Sequence, residues 1–384
     1  MVFDRFDAPQ PIGSGLILQP TGLAILEALG LKAALEAHGR PIVRMFGRNA
    51  PQGRVVLDVR YGASRDGGVA LAVHRSALFG VLFDAAQRRG VAFEGGFEAV
   101  QIDRDRAGRP ALVDARGRRS APFDWIVDAS GARSRLAAEC GASHRRELVF
   151  GALWATLPWP ASAGFLDDAL EQRYRRADVM VGVLPIGRRW GEAAPMATFF
   201  WSLKPRDYDA WRARGLDAWR EDVLSVWPQV EPILASLTSP DELSLARYGH
   251  HALRRPYGDR LGVIGDAAHA TSPQLGQGAN MGLLDAAALA AAIERHSDPA
   301  SAFAAYARAR RSHVRLYQAL SAVFTPVYQS DSRLLPALRD LLLDPVSRLP
   351  GVRQLLTTLV RGELVTPIAG LKTPRPATEF TRTS

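Results

Sequence analysis

The sequence predicts an α/β fold: a doubly wound domain built from discontinuous segments, a β-sheet layer set into it, and a helical region at the C-terminal end. Three observations carry this. Two short apolar strand patterns, Trp125-Ile126-Val127 and Leu261–Ile264, each run into an acidic, glycine-bearing turn and then a helix signal, as strand ends do in α/β sheets. Residues 146–249 instead carry short β-rich runs broken by prolines and tryptophans, the pattern of an antiparallel layer. From Ser301 onward the apolar spacing is helical.

The chain opens Met1-Val2-Phe3-Asp4, which reads as the end of a strand followed by an acid. Gly13-Ser14-Gly15 leads into a helix over Thr21–Leu31, with Leu23, Ile25, Leu26 and Leu29 on its apolar face and Gly30 as its stop. Strand patterns follow at Arg54–Val59 and Val69–Val73. His74-Arg75-Ser76 then opens an amphipathic helix with Leu78, Val81, Leu82 and Ala85 at helical spacing. Two further strand patterns, Ala99–Asp103 and Ala111–Asp114, flank the turn Gly108-Arg109-Pro110. In the β-rich layer the expected strands are Leu148–Thr156, Asp178–Leu184 and Met196–Leu203. Trp154, Phe199, Phe200 and Trp201 are candidate wall residues of an apolar pocket there. Helical patterns cover Tyr208–Val223, Pro228–Ser236, Ser301–Leu320 and Leu334–Leu343, and Pro326, Pro345 and Pro350 are expected to divide the tail. Residues 373–384, polar and proline-bearing, are expected to be a mobile tail.

The most informative stretch is Leu261–Asn280: strand, Gly265-Asp266, then Thr271-Ser272-Pro273-Gln274-Leu275-Gly276-Gln277-Gly278-Ala279-Asn280 at the head of a helix. An acid at the carboxyl end of such a strand is placed to accept hydrogen bonds from a ligand's hydroxyls. Pro273 stiffens the turn. Gly276 and Gly278 let the backbone approach a planar ring. The helix behind them directs free N–H groups and its positive dipole end at the loop, where they favour negative charge on the ligand.

This stretch resembles the second flavin-binding motif of the para-hydroxybenzoate-hydroxylase-like FAD-dependent monooxygenases. The turn Asp128-Ala129-Ser130-Gly131-Ala132-Arg133-Ser134 is similar to the segment that family uses for both FAD and nicotinamide, with Ser130 where an aspartate is expected. The resemblance implies a Rossmann-like, glutathione-reductase-type FAD domain over 1–45, 70–145 and 250–300, a substrate domain over 46–69 and 146–249, and a C-terminal helical region over 301–372. It implies that Asp266 contacts the ribitol and that the loop from Pro273 through Gly276, Gln277, Gly278 and Ala279 to Asn280 borders the isoalloxazine, with Gly265 at its base. Asp4 stands at the family's adenosine-ribose acid, Arg75 at a helix-start arginine facing the flavin, and Ser130 and Gly131 at the cofactor turn. The implied activity is NAD(P)H- and O2-dependent hydroxylation of an aromatic or other apolar small molecule through a flavin hydroperoxide. No side chain is assigned as catalytic.

The family's opening strand, Gly-x-Gly-x-x-Gly turn and helix are not seen, so the chain is expected to lack one such unit of about 30 residues. That loss would leave two strands with unpaired edges in mid-sheet. Two alternatives therefore stand beside the monooxygenase: a flavin-dependent reductase of the geranylgeranyl-reductase-like type, suggested by the Asp-Ala-Ser-Gly turn, and a non-catalytic remnant unable to hold FAD. A flavin halogenase is disfavoured because its tryptophan signature is absent.

Composition sets the remaining bounds. The chain has 384 residues, 47% hydrophobic and 23% charged, which is globular. No apolar run reaches the ~18 residues of a membrane span, and nothing reads as a signal peptide, so a cytoplasmic setting is expected. The single cysteine, Cys140, excludes an internal disulfide and a cysteine-clustered metal site; no metal is expected, and Cys140 reads as a packing residue. Net charge is +9, almost all of it from arginine, with lysine only at 32, 204 and 372. The arginines are scattered and accompany no nucleic-acid motif, so no nucleic-acid partner is expected, and attraction to an anionic membrane surface would be weak.

Overall fold

The computed structural model describes residues 1–8, 10, 13–63, 68–141, 145–160, 164–347 and 349–371; the tail from 373 lies outside them. The largest sheet has seven strands in the order Ser244–Ala246, Gly151–Pro158, Pro195–Leu203, Val179–Arg188, Ala169–Arg175, Arg44–Asn49 and Val55–Arg60. Its pairs are antiparallel except Ala169–Arg175 with Arg44–Asn49. Strand alternation splits the aromatic run: Phe199 and Trp201 turn to one face and pack with Trp211 and Trp219 of helix Tyr208–Val226, while Phe200 and Trp154 turn to the other. That helix breaks at Gly215, whose φ of +84° lies in the left-handed region.

The α/β part is assembled from distant segments. Strand Ile126–Asp128 pairs in parallel with Leu261–Val263, and Val2–Phe3 pairs in parallel with Phe93–Glu94. The two pairs belong to separate sheets, so Val2–Phe3 and Ile126–Asp128 each have one edge without a ladder partner among the described residues. Phe3 and Phe97 nevertheless pack in one cluster with Ile126, Leu261 and Val263. A third small sheet, Gly15–Leu18, Ala70–His74 and Arg40–Ile42, carries helices Pro20–Ala28 and Arg75–Arg88.

The C-terminal region departs from the sequence expectation. Pro326 does not divide it: helix Pro299–Tyr328 runs through Pro326 and ends two residues later. Pro345 likewise lies inside helix Leu334–Ser347. Prolines so close to a C-terminus disturb only the last turns. Pro350 opens a further helix, Pro350–Arg361, that the expectation missed. No helix among the described residues is long and apolar enough to cross a membrane.

Candidate functional site

A cavity of about 1110 Å³ separates the seven-stranded sheet from the loop after Leu261–Val263. Ligand pockets commonly measure roughly 300–1,000 Å³, so it has room for a large planar group and a second molecule. Its loop-side wall is polar and thin: Gly13, Ser14, Arg75, Asp266, Gly276 and Gly278. Its sheet-side wall is apolar, including Met45, Leu170, Met180, Leu184 and Phe200. Helix Pro350–Arg361 closes one flank with Leu356, Leu359 and Val360.

The loop's shape comes from backbone that only glycine adopts comfortably and from one buried carboxylate. Gly265 and Gly276 both have φ near +60°. Asp285, fully buried about two turns into helix Gly278–Ile293, accepts from the Gly265 amide at 2.9 Å, His269 Nε2 at 2.6 Å and Arg310 Nε at 2.7 Å. Burial alone would raise the Asp285 pKa, but His269 and Arg310 outweigh it and hold the carboxyl well below its usual range. Asn280, also fully buried, clamps the other end. Its Oδ1 accepts from the Gln19 amide at 2.8 Å, and its Nδ2 donates to Gly276 O at 3.0 Å and Ile17 O at 3.3 Å. Gln277 donates to Val360 O and so ties the loop to the flanking helix.

Of the residues singled out from sequence, Arg75, Asp266, Pro273, Gly276, Gly278 and Ala279 line the cavity together. Gly265, Gln277 and Asn280 lie behind the lining, in the bonds just described. Ser130 and Gly131 are not in the lining; the Ser130 hydroxyl donates to Asp128 Oδ1 at 2.6 Å, and Ser134 donates to the same carboxylate, so both hydroxyls shape the turn from within. Asp4 follows strand Val2–Phe3 and accepts from the Phe6 amide at 2.9 Å, also away from the cavity. Of the aromatic candidates, Trp154 and Phe200 line the cavity and Phe199 and Trp201 do not. Cys140 is half-buried, and burial pushes its thiol up to about 11.

Sequence reading missed the Asp285–His269–Arg310 cluster and His74. His74 caps helix Arg75–Arg88: its Nδ1 accepts from the Ser76 amide at 3.1 Å. Burial, reinforced by Arg189, lowers its pKa to about 4, so the ring stays the neutral acceptor that this cap requires. The signal was present in His74 directly before a helix start, but histidine is an uncommon cap.

A family described as an FAD binding domain matches residues 1–319. The FAD-dependent urate hydroxylase of Klebsiella pneumoniae is 23% identical over 337 residues, 82% of this chain and 80% of that protein. A kynurenine 3-monooxygenase of Salinispora tropica is 28% identical over 327 residues, covering 82% of this chain and 70% of its own. The crystal structure of Klebsiella pneumoniae HpxO complexed with FAD and uric acid shares the fold, with a TM-score of 0.76 at 19% identity over 94% of this chain and 91% of that one. The fold and its loop are those of a flavoprotein oxidoreductase. The chain belongs to the FAD-binding-domain family, among the para-hydroxybenzoate-hydroxylase-like flavoproteins, and is an FAD-dependent enzyme of the monooxygenase type.

The cavity's own chemistry fits the flavin end of FAD. Among the described residues the Asp266 carboxylate and the Arg75 guanidinium line it without a side-chain hydrogen bond or ion pair. The helix start at Gly278 has no side-chain cap, so its amides are open to a ligand.

Proposed function

We propose that FAD lies along the loop-side wall and that an aromatic or other apolar small molecule is hydroxylated against the sheet-side wall. The reading rests on one observation: Asp266 and Arg75, both without a side-chain partner among the described residues, and an uncapped helix start face an apolar wall across a single cavity. Bound FAD supplies the redox chemistry with NAD(P)H and O2. The overall balance is substrate C–H plus O2, NAD(P)H and a proton giving C–OH, water and NAD(P)+.

The protein's own part is positioning and electrostatics. Asp266 accepts hydrogen bonds from the ribityl hydroxyls. The Gly278 and Ala279 amides, at the positive end of helix Gly278–Ile293, favour negative charge on the ring edge nearest them. Pro273, Gly276 and Gln277 with Asn280 keep the loop flat against the ring, and Gly265 sets its base. Arg75 offers a guanidinium for a phosphate or a ring face. By their family positions Asp4 is assigned to the adenosine ribose, and Ser130 and Gly131 to the turn that serves FAD and nicotinamide. The apolar wall excludes water from the reacting atoms. Residues 46–69 and 146–249 form the substrate domain in this reading, and 1–45, 70–145 and 250–300 the FAD domain. The named relatives act as hydroxylases and monooxygenases on small aromatic molecules, which favours this over the reductase reading.

The test is NAD(P)H oxidation by the FAD-loaded protein, followed together with oxygen consumption in the presence of candidate aromatics. Substrate-stimulated oxygen uptake with a product 16 mass units heavier than substrate, as one added oxygen requires, supports it. NAD(P)H oxidation that proceeds equally without oxygen, with a saturated product, would favour the reductase.

A further inference from the structure

We propose that the substrate is an uncharged aromatic molecule and that Gln172 selects it, hydrogen-bonding a carbonyl, amide or hydroxyl group on its edge; this rests on the monooxygenase reading of the cavity. Gln172 is central in strand Ala169–Arg175, and its alternate neighbours Leu170 and Tyr174 line the cavity with it. It is only 6% exposed, yet its carboxamide makes no hydrogen bond among the described residues. The carboxamide is open to the cavity, so a ligand that displaces water there can take up both its donor and its acceptor.

The surroundings of Gln172 sharpen the point. Across the sheet it stands between Gly47 and Gly182, which contribute no side chain. The space a Cβ would take at Gly182 is filled by the Phe200 ring, and at Gly47 by the Tyr174 ring. The amide is thus set among aromatic edges, with both its donor and its acceptor on offer. A second fixed point is Tyr248, whose hydroxyl accepts from Trp154 Nε1 at 2.6 Å and has no acceptor for its own proton among the described residues.

Charge decides the class of molecule. Among the described residues the cations in the lining are Arg75, on the loop side, and Arg189. Arg189 lies just past the end of strand Val179–Arg188, roughly 20 Å of strand from Gly182. It is also ion-paired with Glu192 at 3.7 Å. On the sheet side the charged lining groups among the described residues are two carboxylates: Asp58, already held by Arg44 at 2.6 and 2.9 Å, and Glu242, which accepts from the Thr238 and Ser239 amides at 2.7 and 2.9 Å. A carboxylate substrate placed against this wall would lose its hydration and find no cation on it among the described residues, Arg75 standing across the cavity on the flavin side, whereas a neutral amide, ketone or phenol would meet Gln172 and Tyr248.

The test is calorimetric titration of the FAD-loaded full chain at pH 7.5 with 2-naphthamide and with 2-naphthoate, two probes that differ in one charged group. The flavin spectrum of the same sample, taken first, reports separately whether FAD is held, so failure of the flavin reading is seen on its own. We expect 2-naphthamide to bind at least ten-fold more tightly than 2-naphthoate. Gln172→Leu should weaken 2-naphthamide about ten-fold while leaving flavin content and melting temperature unchanged. Equal or tighter binding of the carboxylate, no heat from either probe in flavin-loaded protein, or a folded Gln172→Leu protein with unaltered amide affinity would each overturn the proposal. The comparison of the two probes on the unmodified protein needs no variant to fold.

Discussion

At the residue scale the loop depends on a fully buried carboxylate outside the cavity lining. Asp285 neutralises Arg310, 2% exposed, and holds His269 and the Gly265 amide. Asp285→Asn leaves Arg310 buried and uncompensated, a change that costs about 3–5 kcal/mol. It should lower the denaturation midpoint and loosen flavin together, measured by denaturant titration and flavin fluorescence. Two buried histidines add a pH dependence. His74 and His313 both have pKa values lowered from 6.5 to about 4, in each case first by burial and then by a neighbouring arginine. Below pH 6.5 the unfolded chain takes up these protons before the folded one does. Their contribution is therefore complete above pH 6.5 and is lost as pH falls toward 4. Denaturation midpoints should be level from pH 8 to 7 and fall between 6.5 and 4; a midpoint unchanged across that window would contradict this. Little of this was legible in the sequence. Asp285 shows there only as a polar break in an alanine-rich run, because its three partners come from positions 265, 269 and 310.

At the element scale, helix Pro20–Ala28 and helix Gly278–Ile293 are locked through Gly22 and Asn280. A Cβ on Gly22 would fall 2.2 Å from Asn280 Oδ1. Gly22→Ala should displace Asn280 and free the amides and carbonyls it clamps, costing about 1–3 kcal/mol by overpacking. Flavin affinity should fall with stability, and flavin affinity unchanged in the variant would show that the clamp does not shape the loop. Elements with strong periodicity were legible. β-rich runs marked the strands at Asp178–Leu184 and Met196–Leu203, which form at Val179–Arg188 and Pro195–Leu203, and helical spacing marked Arg75–Arg88. Helix Pro350–Arg361 was passed over because Pro350 was read as a break. The pattern was there: Pro350 suits a first helical position, and Leu355, Leu356, Leu359 and Val360 recur at helical spacing. The same proline rule placed breaks at Pro326 and Pro345, where a last turn lets the chain stay helical.

On the scale of the whole molecule, the site is a cavity with two unlike walls brought together from stretches spread between Gly13 and Val360. The loop-side wall was readable because its chemistry is local: an acid, a proline and glycines in one run of residues 265–280. The sheet-side wall was not, because Gln172, Tyr248 and Trp154 become neighbours only once seven strands are ordered. The central claim is that the loop-side wall holds FAD. The measurement is the visible spectrum of the purified chain after incubation with FAD and gel filtration, beside the Asp266→Ala protein. The account predicts close to one flavin per chain with shifted absorption bands, and a clearly weaker complex in Asp266→Ala. A protein that emerges folded but without flavin would contradict it and place the chain with the non-catalytic remnants.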